Sequence, residues 1–202
     1  IDNDGYASPE WLKRGIEELD RNPEAGAIAP LVMFSRKPYI INGFGGVLYS
    51  DFNGMDLLYG KRYDDLRTIG PILWPMGCGM ILKRSVLDKV FPIDEWVINY
   101  YEDVEIGLRI NACGFKVVQC AESVVFHHFG GSSSGNHHEK SRLAFILKYA
   151  PSEYIREFAR NKHAAYQLVQ WQEKWPDMFL HHVFNVRNLH KNAQDYLSWY
   201  FD

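Results

Sequence analysis

Apolar positions along the chain follow two different periods, and the switch between them outlines its organisation. Trp11, Leu12, Ile16 and Leu19 recur at helical spacing just after Ser8-Pro9-Glu10. That tripeptide is a helix start: a capping hydroxyl, a proline in the first turn and an acid near the positive end of the helix dipole. Asn22-Pro23 stops the helix. Residues 27–34 form a short apolar run of the kind a buried strand requires, and residues 39–42 and 47–50 predict two short strands around Gly43, Gly45 and Gly46. Residues 51–70 are polar, glycine-containing and aperiodic, which predicts a long loop, and loops of that length in compact domains are usually functional or mobile.

Gly77-Cys78-Gly79 opens an apolar stretch at 80–82, followed by a short helix at 85–90. Residues 101–112 carry Val104, Leu108 and Ala112 on one helical face, and Gly114 suits the left-handed position after the helix end. Residues 115–118 and 124–126 are strand-like. Beyond residue 137 the pattern becomes helical, at about 138–149, 152–174 and 177–199, with Pro151 and Pro176 as separators. The expectation is an α/β fold with a mixed sheet in residues 1–135, followed by a helical extension at 136–202.

Composition narrows the function. A chain of 202 residues with 47% hydrophobic residues can build a substantial core. Its formal net charge of −3 argues against nucleic acid as a partner, which calls for clustered positive charge. No apolar run approaches the roughly 20 residues of a membrane span. The three cysteines, Cys78, Cys113 and Cys120, are odd in number and unclustered, which argues against a disulfide framework or a cysteine-rich zinc site and suits a reducing cytosol. Ile1-Asp2-Asn3-Asp4-Gly5 reads as the end of a strand entering an acidic turn, so an upstream portion is expected before it.

Three groups of residues could carry chemistry. Asp2 and Asp4 form an Asp-x-Asp whose hard oxygen ligands suit magnesium or manganese against a diphosphate, although Asp side chains in a turn also bond the local backbone. An EF-hand register fails, because its twelfth position would be Trp11 where a bidentate Glu is required. Glu102, Asp103 and Glu105 open a helix, either as favourable partners of its dipole or with one carboxylate facing a cleft as a general base. Arg109 stands four residues after Glu105, the spacing of a structural ion pair on a helix surface. His127-His128-Phe129-Gly130-Gly131-Ser132 ends a strand in a glycine- and serine-rich loop, where a neutral imidazole can ligate a metal or simply be a loop residue. A zinc site from His127, His128, His137 and His138 is disfavoured, since adjacent pairs rarely converge on one ion.

These segments occur in a fixed order: Asp-x-Asp, then "GCGMILKRSVLDKVFPIDE", then "YYEDVEIGLR", then "VVFHHFGGSS". Over residues 1 to about 135 the chain resembles bacterial family 2 glycosyltransferases with a GT-A fold, especially the rhamnosyltransferase-like and galactofuranosyltransferase-like members. Two departures are visible. Phe91-Pro92-Ile93-Asp94-Glu95 stands where the family usually has Gly-x-Phe-Asp-Glu, and Glu105 replaces the usual second Asp of the helix motif. The resemblance implies inverting transfer of a sugar from a nucleoside-diphosphate donor to a glycan or lipid-linked acceptor, assisted by Mn2+ or Mg2+. It implies Asp103 as base with Glu102 beside it, Asp4 and His127 as metal ligands, and Asp2 on the metal or the donor ribose. It further implies Ser132 near the donor phosphates and an acceptor wall of Trp74, Gly77, Cys78 and Gly79. In the family the nucleotide pocket precedes the Asp-x-Asp, so this chain alone is expected to be inactive.

The tail allows packing against the core or a second copy, or peripheral contact at the inner face of a membrane. His163, Trp171 and Trp175 make no strongly basic face, which favours packing. The rival functions are a metal-dependent hydrolase or nucleotidyltransferase using Asp2, Asp4 and His127, and a non-catalytic carbohydrate-binding or scaffolding remnant.

Overall fold

The computed structural model describes residues 1–93, 99–129 and 137–160. The chain divides into two compact units, Ile1–Ile93 with Glu102–Gly135, and Asp94–Tyr101 with Asn136–Asp202.

The first unit is mixed α/β. Its elements are β1 (Gly5–Ala7), α1 (Trp11–Arg21), β2 (Ala25–Phe34), β3 (Lys37–Gly43), β4 (Gly46–Leu48), β5 (Gly54–Asp56), β6 (Ile81–Leu82), α2 (Arg84–Val90), α3 (Glu102–Ala112) and β7 (Lys116–His127). The main sheet runs β1-β7-β2-β3, with β6 also paired to β2, and β4 and β5 form a separate antiparallel pair. Only the β2–β7 pairing is parallel among these.

β2 is central and buried along residues 25–33, as a strand covered on both faces must be. Successive side chains point to opposite faces. Ala27 and Ala29 therefore join Val86 and Val90 of α2 and Ile106 and Ile110 of α3, while Ile28 joins Leu19 of α1 with Ile81 and Cys120. The sheet is thus sandwiched between α1 and the α2–α3 pair.

The two strands predicted at 115–118 and 124–126 are one strand with a bulge. The register against β2 jumps from Pro30 opposite Cys120 to Leu31 opposite Val124. Proline cannot donate to a ladder, and an irregularity of this kind is where a sheet tolerates one. Within the bulge Ser123 Oγ donates to the Trp11 carbonyl at 2.9 Å, tying β7 to α1.

Other differences have local causes. α1 turns Gly15 and Leu19 inward, whereas Leu12 and Ile16 are exposed. A Cβ on Gly15 would meet Ile81 Cδ1 at 2.2 Å, so the close approach of α1 to β6 selects that stripe over its neighbour. The expected loop at 51–70 contains β5 and a short 3-10 turn at Tyr63–Asp65. The acidic turn expected at the start is present at Asn3 and Asp4, closed by Gly5 N–H donating to the Asp2 carbonyl at 3.1 Å, while Ile1 and Asp2 are not in a strand. The Glu105–Arg109 pair, expected at the surface, is buried with Glu105 at 0% exposure. α3 is buried on all sides from residue 104 to residue 110, and Arg109 Nη1 also donates to the Val90 and Pro92 carbonyls, each at 2.7 Å.

In the second unit, α4 (His137–Tyr149) and α5 (Ser152–Arg160) are described. Phe145 packs its ring against Tyr149 and Tyr101, with centroids 4.9 and 5.5 Å apart. Ser141 Oγ donates to the Asn99 carbonyl at 2.8 Å. The helix predicted at 152–174 is described as far as Arg160, and the one at 177–199 lies outside the described residues, as do His163, Trp171 and Trp175. Among the described residues no helix is long and apolar enough to cross a membrane.

Candidate active site

Acidic side chains from three separate segments gather around the Gly77-Cys78-Gly79 turn in the first unit: residues 2–4, the end of β5 and the start of α3. Antiparallel pairing sets Gly5 of β1 opposite His127 at the end of β7, and His128 N–H donates to the Asp4 carbonyl at 2.8 Å. That register brings the Asp4 and His127 side chains together, with His127 Nε2 3.3 Å from Asp4 Oδ1. The other ring nitrogen, Nδ1, lies 2.7 Å from Asn42 Oδ1 on β3. His128 turns elsewhere, its ring nitrogens at 3.2 Å from Ser35 Oγ and 2.8 Å from Arg36 Nη2. Asp2 is exposed, and its charge is felt at Glu102 and at the Cys78 thiol. Among the described residues no group of three or more His, Cys, Asp or Glu side chains is gathered to hold a metal ion. Asp4 and His127 stand as a pair.

Asp103 lies in the first turn of α3 with both oxygens held, so its carboxylate is not free as general bases are often pictured. Oδ2 accepts from Gly77 N–H at 3.2 Å and Oδ1 from Val104 N–H at 2.8 Å. A carboxylate half withdrawn from water needs such partners. Burial pushes the Asp103 carboxyl well above the ordinary carboxylate range, reinforced by the charges of Glu102 and Asp56 and only partly countered by the two N–H donors. Glu102 is also raised, first by burial, and its Oε2 is buried without a hydrogen-bond partner among the described residues.

The wall residues are placed differently from one another. Gly77 contributes its N–H to Asp103. Cys78 is buried, and burial followed by Asp2, Asp103, Asp56 and Asp4 keeps its thiol protonated. Gly79 is tightly enclosed, since a Cβ there would meet Val125 Cγ2 at 2.6 Å, and its carbonyl accepts from Trp11 Nε1 at 3.0 Å. Trp74 is 2% exposed and cannot face an acceptor broadly. Its ring is seated on Gly46, where a Cβ would come within 2.1 Å of the indole. Its N–H is directed instead to Asp56. Ser132 lies outside the described residues.

No protein-family model matches the chain. Over 137 residues it is 31% identical to the O-antigen biosynthesis protein RfbC of Myxococcus xanthus, an alignment covering 61% of this chain and 10% of that protein. Over 160 residues it is 27% identical to an N-acetylglucosaminyl-diphospho-decaprenol L-rhamnosyltransferase of Mycobacterium tuberculosis, covering 68% of this chain and 52% of that protein. The chain therefore spans about half the length of the second relative and a tenth of the first. The crystal structure of GalNAc-T7 with UDP, GalNAc and Mn2+ is similar at a TM-score of 0.53 and 15% identity, over 89% of this chain and 38% of that one. The chain has a family 2 glycosyltransferase-like fold.

Within that glycosyltransferase-like fold, two further residues border the candidate site. Asp56 ends β5 inside the aperiodic stretch at 51–70, so no periodicity singles it out. Asn42 is a polar residue at the end of a short apolar run, a signal that was visible but had no partner until β3 and β7 were placed.

The raised carboxylates make stability depend on pH in a definite direction. Asp56 is pushed up to about 6 by burial, against about 3.9 for an unfolded Asp. The native state therefore holds a proton that the unfolded chain has already lost. Its contribution to stability is full below about pH 4 and disappears as pH rises through about 6; Glu102 and Asp103, also raised, act with the same sign. In chelator, Asp56→Asn is expected to match the wild-type Tm near pH 4 and exceed it at pH 7. A constant offset between the two melting curves from pH 4 to 7 would contradict this account.

Proposed function

We propose that the protein transfers a sugar from a nucleoside-diphosphate-sugar donor to the hydroxyl of a glycan or lipid-linked acceptor, with inversion at the anomeric carbon and with Asp103 as the general base. The observation that carries the reading is the setting of Asp103: a half-buried carboxylate on a helix N-terminus, fastened by Gly77 N–H and crowded by Glu102 and Asp56. The names of the relatives, an O-antigen biosynthesis protein and a rhamnosyltransferase acting on a diphospho-decaprenol, support the substrate class. The same substrate class supports action at the inner face of a membrane.

A divalent cation fits the donor set. Asp4 Oδ1 and His127 Nε2 are 3.3 Å apart, close to the roughly 3 Å between adjacent ligands around an ion with bonds of about 2.1 Å. Mg2+ is commonly held by one or two carboxylates plus substrate phosphates, so a two-residue site with Asp2 acting through water is consistent with such an ion. Bound there, Mn2+ or Mg2+ would supply neutralisation of the charge that builds on the departing diphosphate.

Asp103 receives the acceptor hydroxyl's proton as the oxygen attacks the anomeric carbon from the face opposite the leaving group. Each Asp103 oxygen accepts one backbone N–H and keeps a lone pair for that proton. The raised affinity for protons brings the base closer to the operating pH, where general-base catalysis is most efficient. Glu102 Oε2 and Asp56, the latter held by the Trp74 indole, are placed to accept hydrogen bonds from acceptor hydroxyls. A single displacement requires no covalent sugar intermediate.

The test offers the full-length protein a panel of nucleotide sugars, Mn2+ and a diphospho-polyisoprenoid acceptor, and reads nucleoside diphosphate release and product anomeric configuration by NMR. Acceptor-dependent release with an inverted product is expected. Retention, or release that ignores the acceptor, would reject the reading.

A further inference from the structure

Asn42 is fully buried on β3, and its two amide atoms are treated unequally. Oδ1 lies 2.7 Å from His127 Nδ1, while Nδ2 is buried with no hydrogen-bond partner among the described residues. A buried unpaired donor costs stability, and an aliphatic side chain would avoid that cost. Packing therefore gives no reason for an amide at this position, and the contact to His127 does. A neutral imidazole has one proton for two nitrogens, and the hydrogen bond made by one nitrogen decides the state of the other. An acceptor at Nδ1 keeps the proton there and leaves the Nε2 lone pair facing Asp4.

We propose that Asn42 is a positioning residue: its Oδ1 fixes His127 in the Nδ1–H tautomer and holds Nε2 open to a divalent cation shared with Asp4. The inference rests on the reading of His127 as a metal ligand. In the opposite arrangement Nε2–H would donate to Asp4, and the pair would close on itself with no lone pair left for a cation. Partners of this kind behind a ligating histidine typically change metal affinity by about 10–100-fold when removed.

Two measurements test it on the full chain. In the 15N-labelled, metal-free protein, the His127 side chain is expected to show a protonated Nδ1 and an unprotonated Nε2; a protonated Nε2 overturns the proposal. Mn2+ alone is then titrated, with free ion followed by its EPR signal. Asn42→Leu is expected to bind about 10–100-fold more weakly while melting at the wild-type temperature or above it. Asn42→Asp, which keeps the acceptor and drops the idle donor, is expected to retain wild-type affinity or better. His127→Ala separates the two levels of the argument. Loss in His127→Ala with none in Asn42→Leu overturns the positioning role and leaves the ligand assignment standing. Wild-type affinity in both overturns the ligand assignment and the inference with it. Should Asn42→Leu fail to fold, the wild-type tautomer and the Asn42→Asp titration decide the matter, and a large loss in Asn42→Asp counts against it.

Discussion

Asp103→Asn in the full-length protein is expected to lower kcat by about 10²–10⁴-fold while leaving affinity for the nucleotide-sugar donor and for Mn2+ near that of the wild type. The substitution keeps the side chain's shape and removes its capacity to take a proton. It also meets two backbone donors, Gly77 N–H and Val104 N–H, with only one acceptor oxygen. Some adjustment of the Gly77 turn is therefore expected, and donor binding measured by calorimetry separates that from the loss of the base. The pH profile gives a second, independent readout. Burial, Glu102 and Asp56 all hold the Asp103 carboxyl up. Proton uptake thus silences the base at a higher pH than for an ordinary Asp, and activity rises with pH through that raised value. Glu102→Gln or Asp56→Asn removes one raising charge, so the acid limb of kcat/KM should move to lower pH in either variant. Undiminished turnover by Asp103→Asn would transfer the base role to Glu102.

Local signals in the sequence carried the elements, and pairing across the sheet supplied what they could not. The helix start near Ser8-Pro9-Glu10, the apolar run of β2 and the acidic start of α3 each depend on neighbours within a few residues and are readable; the expected Ser8 cap is not formed, since α1 begins at Trp11 with Glu10 before it and no side-chain capping bond. The sequence predicts separate strand segments at 115–118 and 124–126. Pro30, on another strand, is what makes the gap between them a bulge in one continuous strand. Leu12 and Ile16 looked as core-like as Leu19, and only the approach of Gly15 to Ile81 shows which stripe turns inward. The site follows the same rule. Asp-x-Asp, the helix acids and the His-rich strand end were visible as motifs. Asn42 and Asp56 matter through contacts with His127 and Trp74, residues 85 and 18 positions away, and no local pattern reports such contacts.

The spacing of Glu105 and Arg109 identifies a pair but not its surroundings, and the surroundings set the size of its effect. At a surface, an i,i+4 pair contributes about 0.3–0.5 kcal/mol. Here Glu105 is fully buried, and Arg109 also supplies the hydrogen bonds that satisfy the Val90 and Pro92 carbonyls at and just past the end of α2. Arg109→Leu leaves the Glu105 carboxylate in the interior without its cation, and the expected destabilisation is about 3–5 kcal/mol in urea unfolding. The double variant Glu105→Leu/Arg109→Leu removes the stranded charge as well, so it should recover much of that loss despite the extra substitution. What it cannot recover is the donation to the two carbonyls, which leaves it below the wild type. A single variant within about 1 kcal/mol of wild type would mean that Glu105 is neutralised or rehydrated without its partner. A double variant no better than the single would place the cost in the Val90 and Pro92 carbonyls rather than in the charge. Because α3 carries Asp103 in its first turn and Arg109 in its last, the single variant should lose activity as temperature rises toward its lowered Tm while keeping the wild-type pH profile below it. That behaviour separates a residue that holds the helix from one that takes the proton.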